Sequence, residues 1–154
     1  VIATAARQAQ ADLDHLADLL AQDAAPDGGA DLGLVREIVD TAHASGLPVT
    51  LRISGDTSGV SGAVAHAALR VVQEGLTNAL RYAPGALVEV GMEVRPGALE
   101  LSIVNGRSTG PARLGLGSGR GLTGLRERVG ACGGRFDAGP DGEGGWSVHA
   151  WIAC

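Results

Sequence analysis

The sequence predicts an α+β two-layer sandwich, a mixed sheet covered by helices on one face and preceded by a bundle helix. Three observations carry this expectation. The elements read in the order helix, then α, β, α, β, β, loop, α, β, β, which lacks the strict alternation of a doubly wound parallel sheet. The helical stretches keep their apolar residues on one side, and the strand stretches alternate, so each has a single face to bury. The 154 residues suffice for one compact domain with a core of its own.

The first 22 residues read as a helix, with Ile2, Ala6, Ala9, Leu13, Leu16 and Leu20 at alternating spacings of four and three. That seam is the signature of a helix packed along another helix. Val1 rather than Met stands first, so the chain is read as part of a longer protein whose helix continues upstream. "DAAPDGGADLG" breaks the pattern, which places a boundary between a segment 1–25 and a domain 26–154. A helix over 31–45 follows, with Leu34, Val35, Ile38, Val39 and Ala42 on its apolar side and Gly46 as its stop. "VTLRIS" alternates as a strand. A long helix spans 58–82 and ends before Pro84 and Gly85. Strands over 86–94 and 98–104 meet at the turn "RPGA". After a glycine-rich stretch from Gly106 to Gly121, "LTGLRERVGAC" is a short helix, and "GRFDAG" and "WSVHAWIA" close the chain as a hairpin.

Composition removes several functions. The net charge of -5 argues against a grip on nucleic acid and against an anionic membrane surface. No apolar run is long enough to span a bilayer, and no secretory signal is legible. Cys132 and Cys154 stand far apart, and the four histidines show no zinc spacing. All 12 basic residues are Arg. The phosphate loop of Walker type and the usual protein-kinase fold both need a Lys on the ATP phosphates, so both are set aside.

The long helix carries the first functional signal. At 100° per residue, Arg70, Glu74, Asn78 and Arg81 fall in one stripe, opposite Leu69, Val72, Leu76, Leu80 and Ala83. Such a stripe ordinarily keeps a helix wet. Asn78 is the odd member, because Asn is a mediocre helix former. One turn after a carboxylate it can instead offer a hard oxygen to Mg²⁺, while Glu74 handles a proton or a water and Arg81 reaches a phosphate.

"GLGSGRGLTGLRERV" supplies a second element. Gly117, Gly119 and Gly121 precede a helix expected near Leu122, and glycines before a helix N-terminus let backbone N–H groups approach a phosphate. "GRGLTG" also fits the dinucleotide fingerprint, but the strand that motif needs ends near Val104, too far upstream.

Together, "RVVQEGLTNALRYA", "GLGSGRGLTGLRERV" and the later glycine pair resemble the ATP-binding catalytic domain of two-component sensor histidine kinases. The nearest likeness is to the subfamily with a short ATP lid, common in actinobacteria, within the superfamily that holds gyrase and a heat-shock chaperone. The resemblance covers about residues 5–154. It implies the Bergerat-type ATP-binding fold over 26–154, with 1–25 as the end of a dimerisation bundle. It implies ATP and Mg²⁺ as ligands, Asn78 as the magnesium ligand, Glu74 as the acidic residue that in hydrolysing relatives polarises water, and Arg81 and Tyr82 as the lining of phosphates and nucleoside. Gly117, Gly119, Gly121 and Leu122 would belong to the glycine box that closes over the phosphates, with Gly106 in the preceding box. Asn105 stands where the family carries the Asp that accepts the adenine amino group. A neutral amide still accepts that bond, at a cost of about 1 kcal/mol in affinity.

The implied reaction is transfer of the γ-phosphoryl to a histidine on an upstream segment, and from there to a response regulator. The implied setting is a cytoplasmic homodimer formed by upstream helices, without nucleic acid and without membrane contact from these residues; a membrane anchor elsewhere in the parent stays open. His15 is followed by Leu16 rather than an acidic residue, so the acceptor is expected before Val1. Two rivals stay open: an anti-sigma or serine-kinase-like regulator of the same fold, and an interaction module whose nucleotide site has decayed. The reading requires that the stripe of Glu74, Asn78 and Arg81 face a cavity rather than neighbouring protein or open solvent.

Overall fold

The computed structural model describes residues 32–110 and 120–154, together with Thr4 and Ala11. The heptad helix, the boundary near residue 25, His15, Gly117 and Gly119 lie outside the described residues.

One five-stranded sheet has the order β1-β2-β3-β5-β4, comprising β1 (Val49–Ser54), β2 (Val88–Arg95), β3 (Ala98–Asn105), β4 (Arg135–Pro140) and β5 (Trp146–Ala153). β1 runs parallel to β2, and the other neighbours are antiparallel. The sheet is mixed, as expected. Its parallel pair arises because β1 and β2 are joined through a helix, whereas β2–β3 and β4–β5 are joined by short turns. Among the described residues the helices are α1 (Gly33–Ala44), α2 (Gly62–Tyr82) and α3 (Arg120–Ala131).

Strand alternation decides which face the helices cover. Val90 of β2 lies beside Ile103 of β3, which lies beside Val148 of β5, and all three are buried. Met92, Leu101 and Ala150 form the next such row. The intervening Glu89, Glu93, Glu100, His149 and Trp151 are exposed or half-exposed, so the opposite face stays open. There Glu93 and Glu100 are direct cross-strand neighbours, and Arg95 relieves their repulsion at 2.9 and 3.6 Å.

α2 crosses β2, β3 and β5, with α1 and α3 on its flanks. That position explains its composition. Leu69, Val72 and Leu76 are buried as expected, but Ala65, Ala68 and Thr77 are buried too, because neighbours enclose most of the helix circumference. The helix starts four residues later than the sequence suggests. Ser58 lies in a turn, its N–H bonded to Asp56, and it is Ser61 whose hydroxyl accepts from Val64 N at 3.4 Å and caps the helix. α1 ends as predicted: Gly46 and Leu47 donate back to His43 and Ala42 with Gly46 at φ +94°.

His66 of α2 gives the fold a pH dependence. Burial, then the guanidinium of Arg128 on α3 and that of Arg70 one turn along α2, hold its pKa below the ordinary 6.5. Its Nδ1 is buried without a partner among the described residues. The folded chain therefore resists a proton that the unfolded chain accepts. The stability contribution is complete above the unfolded value and is lost as pH falls below it. Thermal melts from about pH 7 to about pH 5 should show a steeper decline for the unmodified chain than for His66→Gln. Parallel curves would show that this imidazole does not govern the slope.

Candidate functional site

The C-terminal half of α2 is the site's first wall. Glu74, Asn78, Arg81 and Tyr82 project from it into a cavity of about 650 Å³, within the range of small-molecule pockets. Asn105 and Gly106, at the end of β3, form its floor, and Gly121 and Leu122 in the first described turn of α3 form another side. Every candidate residue among those described thus lines one cavity. The stripe is neither packed against protein nor open to solvent without a pocket; Glu74, Asn78 and Arg81 are each half-buried. Arg70, the fourth member, is absent from this lining and bonds Gln73 at 3.1 Å.

The polar groups of the wall are available. Glu74 and Asn78 make no hydrogen bond or ion pair with a described residue, and Arg81 holds its guanidinium 5.8 Å from the Tyr82 ring centroid. A half-buried carboxylate and carboxamide left unpaired are costly unless water or a ligand meets them. Across the cavity Asn105 is only 8 % exposed. Its Nδ2 donates to Gly106 O at 3.0 Å, which leaves the amide oxygen as the acceptor for an incoming donor.

Two glycines are required by close approach. A Cβ at Gly121 would run into the Glu74 carboxylate, so α3 can bring its N-terminal turn against Glu74 only without a side chain there. The positive end of that helix then faces an anionic group. Gly121 lies inside α3, because the helix is already formed at Arg120, earlier than the expected Leu122. Where the glycine-rich stretch leaves β3 it is pinned: Gly106 N bonds Leu87 O at 3.0 Å and Thr109 N bonds Pro84 O at 3.1 Å.

Sequence patterns did not point to the last wall. Gly144, Gly145 and Trp146, from the β4–β5 hairpin, also line the cavity. A Cβ at Gly145 would collide with the backbone carbonyl of Asn105, so this glycine lets the hairpin close over the end of β3. The one available signal was "GEGGW", a glycine run leading into an aromatic at a strand start.

No family model and no curated protein matches the chain. Solved structures do. The histidine kinase domain of a blue-light activated histidine kinase from Erythrobacter litoralis EL346 superposes with a TM-score of 0.63 at 22% identity, over 95% of this chain and 81% of that one. The fold is that of histidine kinase catalytic domains. The catalytic domain of histidine kinase ThkA agrees, with a TM-score of 0.59 at 16% identity over 79% of this chain and 90% of its own. Full-length ShkA, solved in complex with AMPPNP, gives a TM-score of 0.60 at 17% identity over 79% of this chain, which spans 29% of that protein. Within this histidine kinase fold, no described helix is long and apolar enough to cross a membrane.

Proposed function

We propose that the chain binds Mg-ATP in this cavity and hands the γ-phosphoryl to a histidine on an upstream dimerisation segment, for onward transfer to a response regulator. The observation that carries the reading is the pair of half-buried oxygen-bearing side chains, Glu74 and Asn78, one turn apart on the cavity wall of a histidine kinase fold and without a partner among the described residues. The nucleotide complex of ShkA, a protein of similar fold, supports it.

The donor set fits a hard divalent cation: Asn78 brings a carboxamide oxygen that no described residue engages, and Glu74 a carboxylate beside it. Mg²⁺ held at Asn78 would neutralise charge on the triphosphate. Arg81 would pair with a phosphate oxygen, and Tyr82 would line the nucleoside. The Asn105 amide oxygen would accept from the exocyclic amine of the base. Gly106, Gly117, Gly119, Gly121 and Leu122 would bring the glycine-rich stretch over the phosphates. Glu74 would polarise the acceptor imidazole and take its proton as the P–N bond forms and the bond to ADP breaks. Catalysis would then rest on positioning and charge neutralisation.

Calorimetric titration with ATP, with and without Mg²⁺, tests the binding step. The expected result is weak, magnesium-dependent binding; no binding at millimolar ATP overturns the reading. With radiolabelled ATP, a longer chain that includes the upstream helices should become labelled, whereas residues 1–154 alone should not. Label on His15 would move the acceptor into this chain.

A further inference from the structure

Trp146 takes no part in the mechanism above. It opens β5, sits in register beside Asn105 of β3, and lines the cavity. Its indole is half-buried and packs against the hydrophobic core, yet Nε1 has no hydrogen-bond partner among the described residues. Gly144 and Gly145 precede it on the same wall and carry no side chains, so the indole is the one large surface that the hairpin presents to the cavity. It lies next to the amide that would meet the edge of a base.

We infer that Trp146 is the stacking surface for the nucleobase, and that it separates nucleotides from bare polyphosphates at this site. The inference rests on the ATP reading above and adds a base-recognition residue to it. Stacking is tolerant of base identity because every base has a π-face. It also offsets what the neutral Asn105 loses relative to a carboxylate, whose hydrogen bond to the base amine would be charge-assisted. Trp151, the other tryptophan, lies on the open face of the sheet beside Glu100, away from the cavity lining.

The test compares Mg-ATP with Mg-tripolyphosphate, which has the phosphates and no base. Trp146→Ala should weaken ATP binding about tenfold or more, the scale of one base–aromatic stack. It should leave tripolyphosphate binding unchanged, and Trp146→Phe should restore most of the ATP affinity. A second readout needs no change at the site: in a Trp151→Phe background, emission from Trp146 should change on adding ATP and not on adding tripolyphosphate. Unchanged ATP affinity in Trp146→Ala, equal weakening of both ligands, or an emission change common to both overturns the inference. An unmodified chain that binds tripolyphosphate as tightly as ATP overturns it while leaving the phosphate grip intact. A chain that binds neither takes down the nucleotide reading and this inference with it.

Discussion

Replacing Asn78 with alanine is expected to lower the affinity for ATP in the presence of Mg²⁺ by about tenfold or more, and to leave any affinity without Mg²⁺ unchanged. A tenfold loss is about 1.4 kcal/mol, the scale of one charge-assisted contact. The change should not be a folding defect. Asn78 bonds to no described residue, it is half-buried beside a cavity, and alanine is the better helix former by roughly 0.5 kcal/mol. The variant should therefore melt at or slightly above the temperature of the unmodified chain while its magnesium-dependent binding falls. Calorimetry with Mg-ATP and with ATP plus chelator, alongside thermal melts, separates the two effects. Equal Mg-ATP affinity in both proteins would favour an interaction module with a decayed site.

Gly145→Ala should have the largest effect on stability among conservative changes near the cavity. The added methyl meets the carbonyl oxygen and carbon of Asn105, which belong to the backbone of β3, and the Asp141 carboxylate. Neither backbone atom can rotate away. The hairpin cannot give easily either, because Asp141 Oδ1 accepts from Glu143 N at 2.8 Å and from Gly145 N at 2.9 Å, and Asp141 N donates to Gly145 O at 3.2 Å. Relief requires β3 and β5 to part at the Asn105–Trp146 pair, where the cavity floor meets its hairpin wall. The expected loss is about 2–3 kcal/mol, or roughly 6–10 °C in melting temperature, with weaker ATP binding alongside. Gly139→Ala is the control: its Cβ would meet nothing, so its melting temperature should barely move. If the two variants melt together, the close approach at Gly145 does not constrain the fold.

Glu74, Asn78 and Arg81 share one face by their spacing alone, because helical geometry turns position along one element directly into direction. The strands are legible to within two residues for a similar reason: a two-residue period marks both faces. The start of α2 is less so. Ser58 and Ser61 both stand ahead of its apolar pattern, and which serine caps depends on where the chain leaves the Asp56 turn. Gly121 is legible as part of a glycine-rich approach to a helix, yet its contact with Glu74 is not. That contact exists because two helices distant in sequence lie side by side.

The chain's own pattern determined the α+β class, the mixed element order, the polar stripe on α2 and the glycine-rich stretch ahead of α3, since each of these is written in local periodicity and turn chemistry. Tertiary structure decided that the stripe opens on a cavity, that Asn105 forms its floor, and that Gly145 and Trp146 close its far side. Those features depend on strand register and helix docking, which bring together residues tens of positions apart, and no periodicity within a single element encodes such distances.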